Sequence, residues 1–225
     1  MTAPGMTRLA FDYGLRLVRG SLFTMAGTVT EAVQAATTAL LDQNLEAARA
    51  TASLERELED DRLLIERRTL QLLAGEQPVT GELRMLVAAV KISAECRRMG
   101  VLAHHVGMAA RHFYPAPAIP NELSGIFRRM GDVASRIADD ARVTLLSSDP
   151  LDVTGVEVED AMDGLHRALF RALLDKWPHG LETAVSVALL GRYYERFVDH
   201  AVAIAQSVIF MVTGTQPDIG APHVG

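Results

Sequence analysis

The sequence predicts an all-α protein: two tandem, pseudo-symmetric three-helix bundles built from six long helices. Three observations carry that expectation. Apolar residues recur at three- and four-residue steps over segments of roughly twenty to thirty residues, the period of a helix rather than of a strand. Short clusters of Gly, Pro, Asp and Asn separate those segments. The pattern of the first half then returns in the second.

The first helix is expected over residues 11–41, where Leu15, Leu17, Val18, Leu22, Met25, Val29, Val33, Ala36 and Leu40 recur at three- and four-residue steps. Asp42-Gln43-Asn44 breaks it. The second runs over 45–74 and carries the block LERELEDDRLLIERR, whose ordinary role is a solvated face. Gly75 and Pro78 close it, as a C-terminal Gly followed by Pro commonly does. The third covers 81–112 through Leu83, Leu86, Val87, Val90, Ile92, Met99 and Leu102. His104 and His105 have no second ligand at a convincing spacing, so they are expected to be satisfied or exposed side chains. Three prolines between Tyr114 and Pro120 then end the first half, because no helix tolerates them.

A fourth helix starts at Asn121 or Ser124, runs to Leu146 and is stopped by the SSDP stretch at 147–150. The fifth spans 153–175, Trp177-Pro178-His179-Gly180 makes the next turn, and the sixth spans 181–213 with Gly214 as its cap. The expected division is therefore 1–114 for the first unit, 121–214 for the second and a loose Gly- and Pro-rich tail at 215–225. The repeat can be followed residue by residue. Met25 precedes Leu40-Leu41 as Met130 precedes Leu145-Leu146, Glu55 and Glu59 fall opposite Glu159 and Asp163, and Arg98, Ala103 and Val106 fall opposite Arg196, Ala201 and Ile204.

Composition narrows the function classes. Hydrophobic residues make up 49% and charged residues 22%, close to the globular average, so disorder is not expected. A net charge of −6 argues against a phosphate-backbone binder, so no nucleic-acid partner is expected. The single cysteine, Cys96, leaves neither an intramolecular disulfide nor a CxxC knot and reads as a packed thiol. No run of 18 apolar residues and no apolar leader segment is present, which points to a soluble cytoplasmic chain.

Chemistry concentrates in LLGRYYERFVDHAVAIAQSVIFMVTG, residues 189–214. Glu195 and Asp199 stand four apart, one helical turn above each other on one face. Arg192 and Arg196 can relieve their repulsion as surface ion pairs, and Arg56 and Arg62 can do the same for Glu55 and Glu59. The other reading is a hard-cation site, since carboxylate oxygens suit such ions and helix-borne acids build them in bundles. Tyr193, Tyr194 and Phe197 beside the acids fit either interface anchors or bundle core.

The segments LLAGEQPVTGELRMLVAAVKI and RYYERFVDHAVAIAQSVIFMVTG together resemble the PhoU family of bacterial phosphate-uptake regulators, most closely its actinobacterial members. The resemblance covers essentially the whole chain, both repeats in order. It implies acidic E/D-x-x-x-D motifs that can hold a divalent or ferric ion (Mg, Mn, Fe or Zn) not required for the fold. It also implies a non-catalytic adaptor between the ATPase-bearing phosphate ABC transporter and a sensor histidine kinase, which keeps the phosphate-starvation response off. Such proteins are cytoplasmic, peripheral to the inner face of the membrane through their partners, and often homodimers.

Carried over residue by residue, the metal ligands are Glu159, Asp163, Glu195 and Asp199 of the second repeat. Their first-repeat counterparts Glu55 and Glu59 are weakened as a site, because Arg97 and Val101 stand where the third helix would supply acids. Two alternatives remain open: a metal-storing structural bundle, and a metal-carboxylate enzyme. Against the enzyme, the chain lacks paired Glu-x-x-His motifs, a P-loop and a GxSxG elbow.

Overall fold

A computed structural model describes residues 7–75, 78–147 and 155–215. The expected tail beyond Thr215, Gln77 of the QPV turn and residues 148–150 of the SSDP stretch lie outside the described residues. Among the described residues six α-helices follow in order, α1 Arg8–Asp42, α2 Leu45–Gly75, α3 Thr80–Phe113, α4 Ser124–Ser147, α5 Gly155–Leu174 and α6 Gly180–Thr213, with one 3-10 turn at Asn121–Leu123. No strand occurs among the described residues.

The helix ends follow from local chemistry. Thr7 caps α1 by accepting the Ala10 N–H, and Gln43 in the left-handed region (φ 52°) stops it. Asn44 then starts α2, its Oδ1 accepting the N–H groups of Glu46 and Ala47 at 3.0 Å. The Asp42-Gln43-Asn44 break is thus a stop and a cap in one. At α3 the Glu82 carboxylate accepts the Val79 N–H at 2.9 Å and pairs with Arg8, tying the starts of α1 and α3 together. Gly214, at φ 78°, closes α6 by donating its N–H to the Phe210 carbonyl, and the Arg84 guanidinium of α3 lies against that end. A cation there complements the negative end of the helix dipole.

Helices α1, α3, α4 and α6 form the middle of the molecule, with α2 laid on α1 and α3 and α5 laid on α4 and α6. One continuous core results, reaching from Leu22 and Met25 through Leu58, Leu86 and Met99 to Phe127, Leu169 and Phe197. The two halves meet through α1 against α4 and α3 against α6, so neither half keeps its core to itself. In both halves a leucine of the second helix sits on a glycine of the third. A Cβ at Gly100 or Gly191 would fall 2.4 Å from a methyl of Leu58 or Leu169, so only glycine lets those helix pairs approach this closely.

Tyr194 and Phe197 belong to that core, each 1% exposed. The Tyr194 hydroxyl lies 2.8 Å from Thr37 Oγ1, a bond between α6 and α1. Tyr193 is only partly buried and stacks at a tilt on His105 of α3. By composition and length α6 is the one described helix that could cross a membrane. In this fold it packs on α3, α4 and α5 and carries Arg192, Glu195, Arg196 and Asp199 at mid-length.

Candidate functional site

Antiparallel packing of α5 on α6 places Gly191 against Leu169 and His166, and this register sets the acids of both helices on neighbouring faces. Among the charges, Glu159 feels Asp199 most, and Asp199 feels Glu195 most. Partial burial, then the charge of Asp199, then that of Asp163, pushes the Glu159 carboxyl above the usual carboxylate range. Partial burial and the charge of Glu195 do the same to Asp199, with Arg192, His200 and Arg196 opposing. Both side chains keep exposed surface, so the crowding sits at the molecular surface rather than in a sealed cavity.

The other two predicted ligands are engaged. Glu195 Oε2 lies 2.7 Å from Arg192 Nη1 and 3.4 Å from His166 Nδ1. Asp163 reaches Arg167 at 3.9 Å on an open surface. The structure therefore brings Glu159, Asp163, Glu195 and Asp199 into one electrostatic neighbourhood, but among the described residues no three His, Cys, Asp or Glu side chains are poised around one point. A cation held here would use Glu159 and Asp199, gain Glu195 if that carboxylate left Arg192, and complete its shell with water, as hard cations do when protein oxygens are few.

The first half solves the same crowding differently. Arg97 reaches from α3 to α2, its Nε 3.1 Å from Glu59 and its Nη2 3.8 Å from Glu55. Arg62 adds a second guanidinium 2.7 Å from Glu59 and also binds Glu66. The Arg62 hydrogen bond, with help from Arg97, holds the Glu59 carboxyl below its ordinary range. A fixed cation thus lies between Glu55 and Glu59, and Val101 adds no side-chain oxygen beside them. Arg56, expected to pair with these acids, instead donates to the Ala52 carbonyl and Ser53 Oγ.

Other residues gain roles that the spacing alone did not assign. His166 stands beside Glu195 with its Nε2 buried and unpartnered. Asp61 is pushed up by burial and by Glu57 and Asp60, while Glu57 accepts from Thr28 at 3.4 Å and so turns toward α1. The signal was in the sequence: Asp61 falls between Leu58 and Ile65 on the ridge that continues to Leu72. His200 Nδ1 meets Glu95 at 2.7 Å, joining α6 to α3 across the two halves. His104 is satisfied by Thr51 at 3.2 Å, and burial lowers its pKa. Cys96 is fully buried, and burial pushes its thiol up to about 12, which leaves no accessible thiolate at neutral pH.

Comparison with known proteins agrees with this architecture. The family model described as the PhoU domain matches residues 22–110 and 127–208. A Mycobacterium tuberculosis protein named phosphate-specific transport system accessory protein PhoU homolog 2 is 41% identical over 212 residues, covering 93% of this chain and 100% of the relative. The homolog 1 protein of Mycobacterium leprae is 40% identical, covering 94% of this chain and 96% of the relative. Among solved structures, PhoU from Pseudomonas aeruginosa superposes with a TM-score of 0.85 at 23% identity, covering 91% of this chain and all of that one. PhoU from Streptococcus pneumoniae gives 0.80 at 18%, covering 93% of this chain and all of that one. These two show the shared helical-bundle fold.

Proposed function

The chain belongs to the PhoU domain family, and on that premise we propose that it is a non-catalytic regulatory accessory of a phosphate-transport system. In this reading it links the ATPase subunit of a phosphate ABC transporter to a sensor histidine kinase and holds the phosphate-starvation response off when phosphate is plentiful. It acts in the cytoplasm as a homodimer, at the inner face of the membrane through those partners.

The observation that carries the reading is end-to-end similarity: mycobacterial relatives named as phosphate-specific transport accessory proteins align over nine-tenths of this chain, with both repeats included. The fold supports a protein that acts by binding. Its helices share one core, so a partner meets a single semi-rigid body, and a binder shifts a partner's equilibrium only by preferring one of its conformations. Absence of a usable thiolate at Cys96 is consistent with that role.

We further propose that the second half holds one divalent or ferric ion through Glu159 and Asp199, with Glu195 and Asp163 as adjoining ligands. The crowding of Asp199 on Glu159 and of Glu195 on Asp199 supports it, because a cation removes the like-charge cost that raises both carboxyls. Its chemistry is neutralisation and cross-bracing of α5 to α6. In the first half Arg97 already supplies that brace.

Affinity-tagged protein recovered from membranes of phosphate-replete cells is expected to retain both the transporter ATPase subunit and the kinase. Recovery of neither from cross-linked membranes would contradict the adaptor reading.

A further inference from the structure

Where α3 and α6 run side by side near the three-proline connector, they leave an open groove of about 300 Å³. Its walls are Met108, Ala109 and Phe113 of α3 and Leu189, Leu190 and Tyr193 of α6. On α6 the exposed residues Leu181, Val185 and Leu189 advance by four residues at a time, and the last of them lines the groove. Met108 opposite is 50% exposed, so a strip of apolar surface is left without a partner inside the chain.

The charges around the strip are one-sided. From Val101 to Phe113 and from Thr183 to Tyr194 there is no carboxylate, although the chain as a whole carries −6. His105 and His112 line the groove itself, and Arg111 and Arg192 lie exposed on the same two stretches. Past Leu189 the outer line of α6 turns basic at Arg192 and Arg196, with exposed Arg98 on α3. The nearest acids do not offset this at the groove. Glu95 pairs with His200 and Arg98, Glu195 pairs with Arg192, Glu182 lies in the first turn of α6 at the far end, and Asp199 stands near Glu159 of α5, which leaves exposed Arg196 as the cation on offer.

We propose that this groove is the docking site for an amphipathic α-helix of a partner protein, one whose apolar ridge fills the strip and whose following turn carries a carboxylate that meets exposed Arg196. A helix laid in a two-helix groove is read through anchors spaced three and four residues apart, which matches the four-residue spacing of Leu181, Val185 and Leu189. Charge complementarity then fixes the direction in which the partner helix lies. The groove needs no metal, and although Arg196 also bears on Asp199, the apolar anchor Leu189 has no part in the acids of α5 and α6, so its substitution tests the groove apart from the cation reading.

The test uses the intact chain and a labelled synthetic helical peptide with one leucine stripe followed by glutamates, beside a twin with lysines in their place. Fluorescence anisotropy is expected to show binding of the glutamate peptide, weakened about tenfold or more by Leu189→Glu, as for a central apolar anchor. Arg196→Glu is expected to reverse the preference toward the lysine peptide. Circular dichroism and Tm confirm that both surface variants stay folded. Any of several results would overturn the proposal: no binding of the glutamate peptide, equal binding of the two peptides, indifference to Leu189→Glu, or a homodimer in sedimentation that Leu189→Glu dissociates. The homodimer would assign the groove to a second copy of the chain. Vesicle flotation abolished by the same substitution would overturn it in favour of a lipid surface.

Discussion

Tyr194→Ala is expected to destabilise the protein by about 3–5 kcal/mol, the usual cost of truncating a large buried aromatic. Tyr194 is 1% exposed, packs at 6.0 Å between ring centroids on Phe127 of α4, and bonds Thr37 of α1. It is therefore held by the two helices that connect the halves. Burial pushes its phenol well above the ordinary range, so the hydroxyl stays protonated at any working pH. Tyr194→Phe keeps the ring and loses only the Thr37 bond, a loss of roughly 1 kcal/mol. Thermal unfolding followed by circular dichroism should show a single transition for the wild type and a single, earlier one for Tyr194→Ala. The shift is on the order of 10 °C for a chain of this size. An unchanged Tm would remove Tyr194 from the core, and two separated transitions would mean that the halves do not share one.

The second large effect concerns the cation. Wild-type protein titrated with Mn2+ is expected to bind one ion per chain, and Glu195→Ala with Asp199→Ala is expected to abolish that binding. Glu55→Gln with Glu59→Gln should leave it intact, because Arg97 and Arg62 already occupy those carboxylates. Metal retained at equal stoichiometry by the first pair of substitutions would contradict the assignment. The metal-free protein gives an independent check with a definite sign. Glu159 and Asp199 have carboxyls raised above their ordinary values, so their ionised forms cost stability above those raised values and the cost fades as pH falls. Asp199→Asn should accordingly raise Tm in metal-free protein near neutral pH. Glu59 runs the other way. Its lowered carboxyl contributes stability above the unfolded value, and that contribution is lost as pH falls through the folded one.

Much of the fold was legible in the sequence because helices announce themselves locally. The stripe from Val18 to Leu40, the stop at Asp42-Gln43-Asn44 and the prolines after Tyr114 each act within one element, and the helices begin and end within a few residues of the expected positions. The shared core was not legible. Periodicity tells which face of α3 or α6 is apolar but not which helix it meets, so the contact of α1 with α4 and of α3 with α6 appears only in three dimensions. The same limit divides the candidate site. Arg97 could be read as an intruder among acids, and it does bridge Glu55 and Glu59. The pairing of Glu195 with Arg192 follows from their spacing on one helix and is legible there, whereas the approach of His166 depends on the register of α5 against α6, which no single-helix spacing contains. Tyr193 and Tyr194 are neighbours in sequence yet part at about 100° on the helix, one toward the groove and the other into the core.

The regulatory claim is tested most directly in a host deleted for every relative of this family that it carries, by measuring a phosphate-starvation reporter in high phosphate with and without this gene. The account predicts a reporter that is on in the deleted strain and returned to its repressed level by the intact chain. A reporter that stays on despite well-folded, well-expressed protein would contradict it.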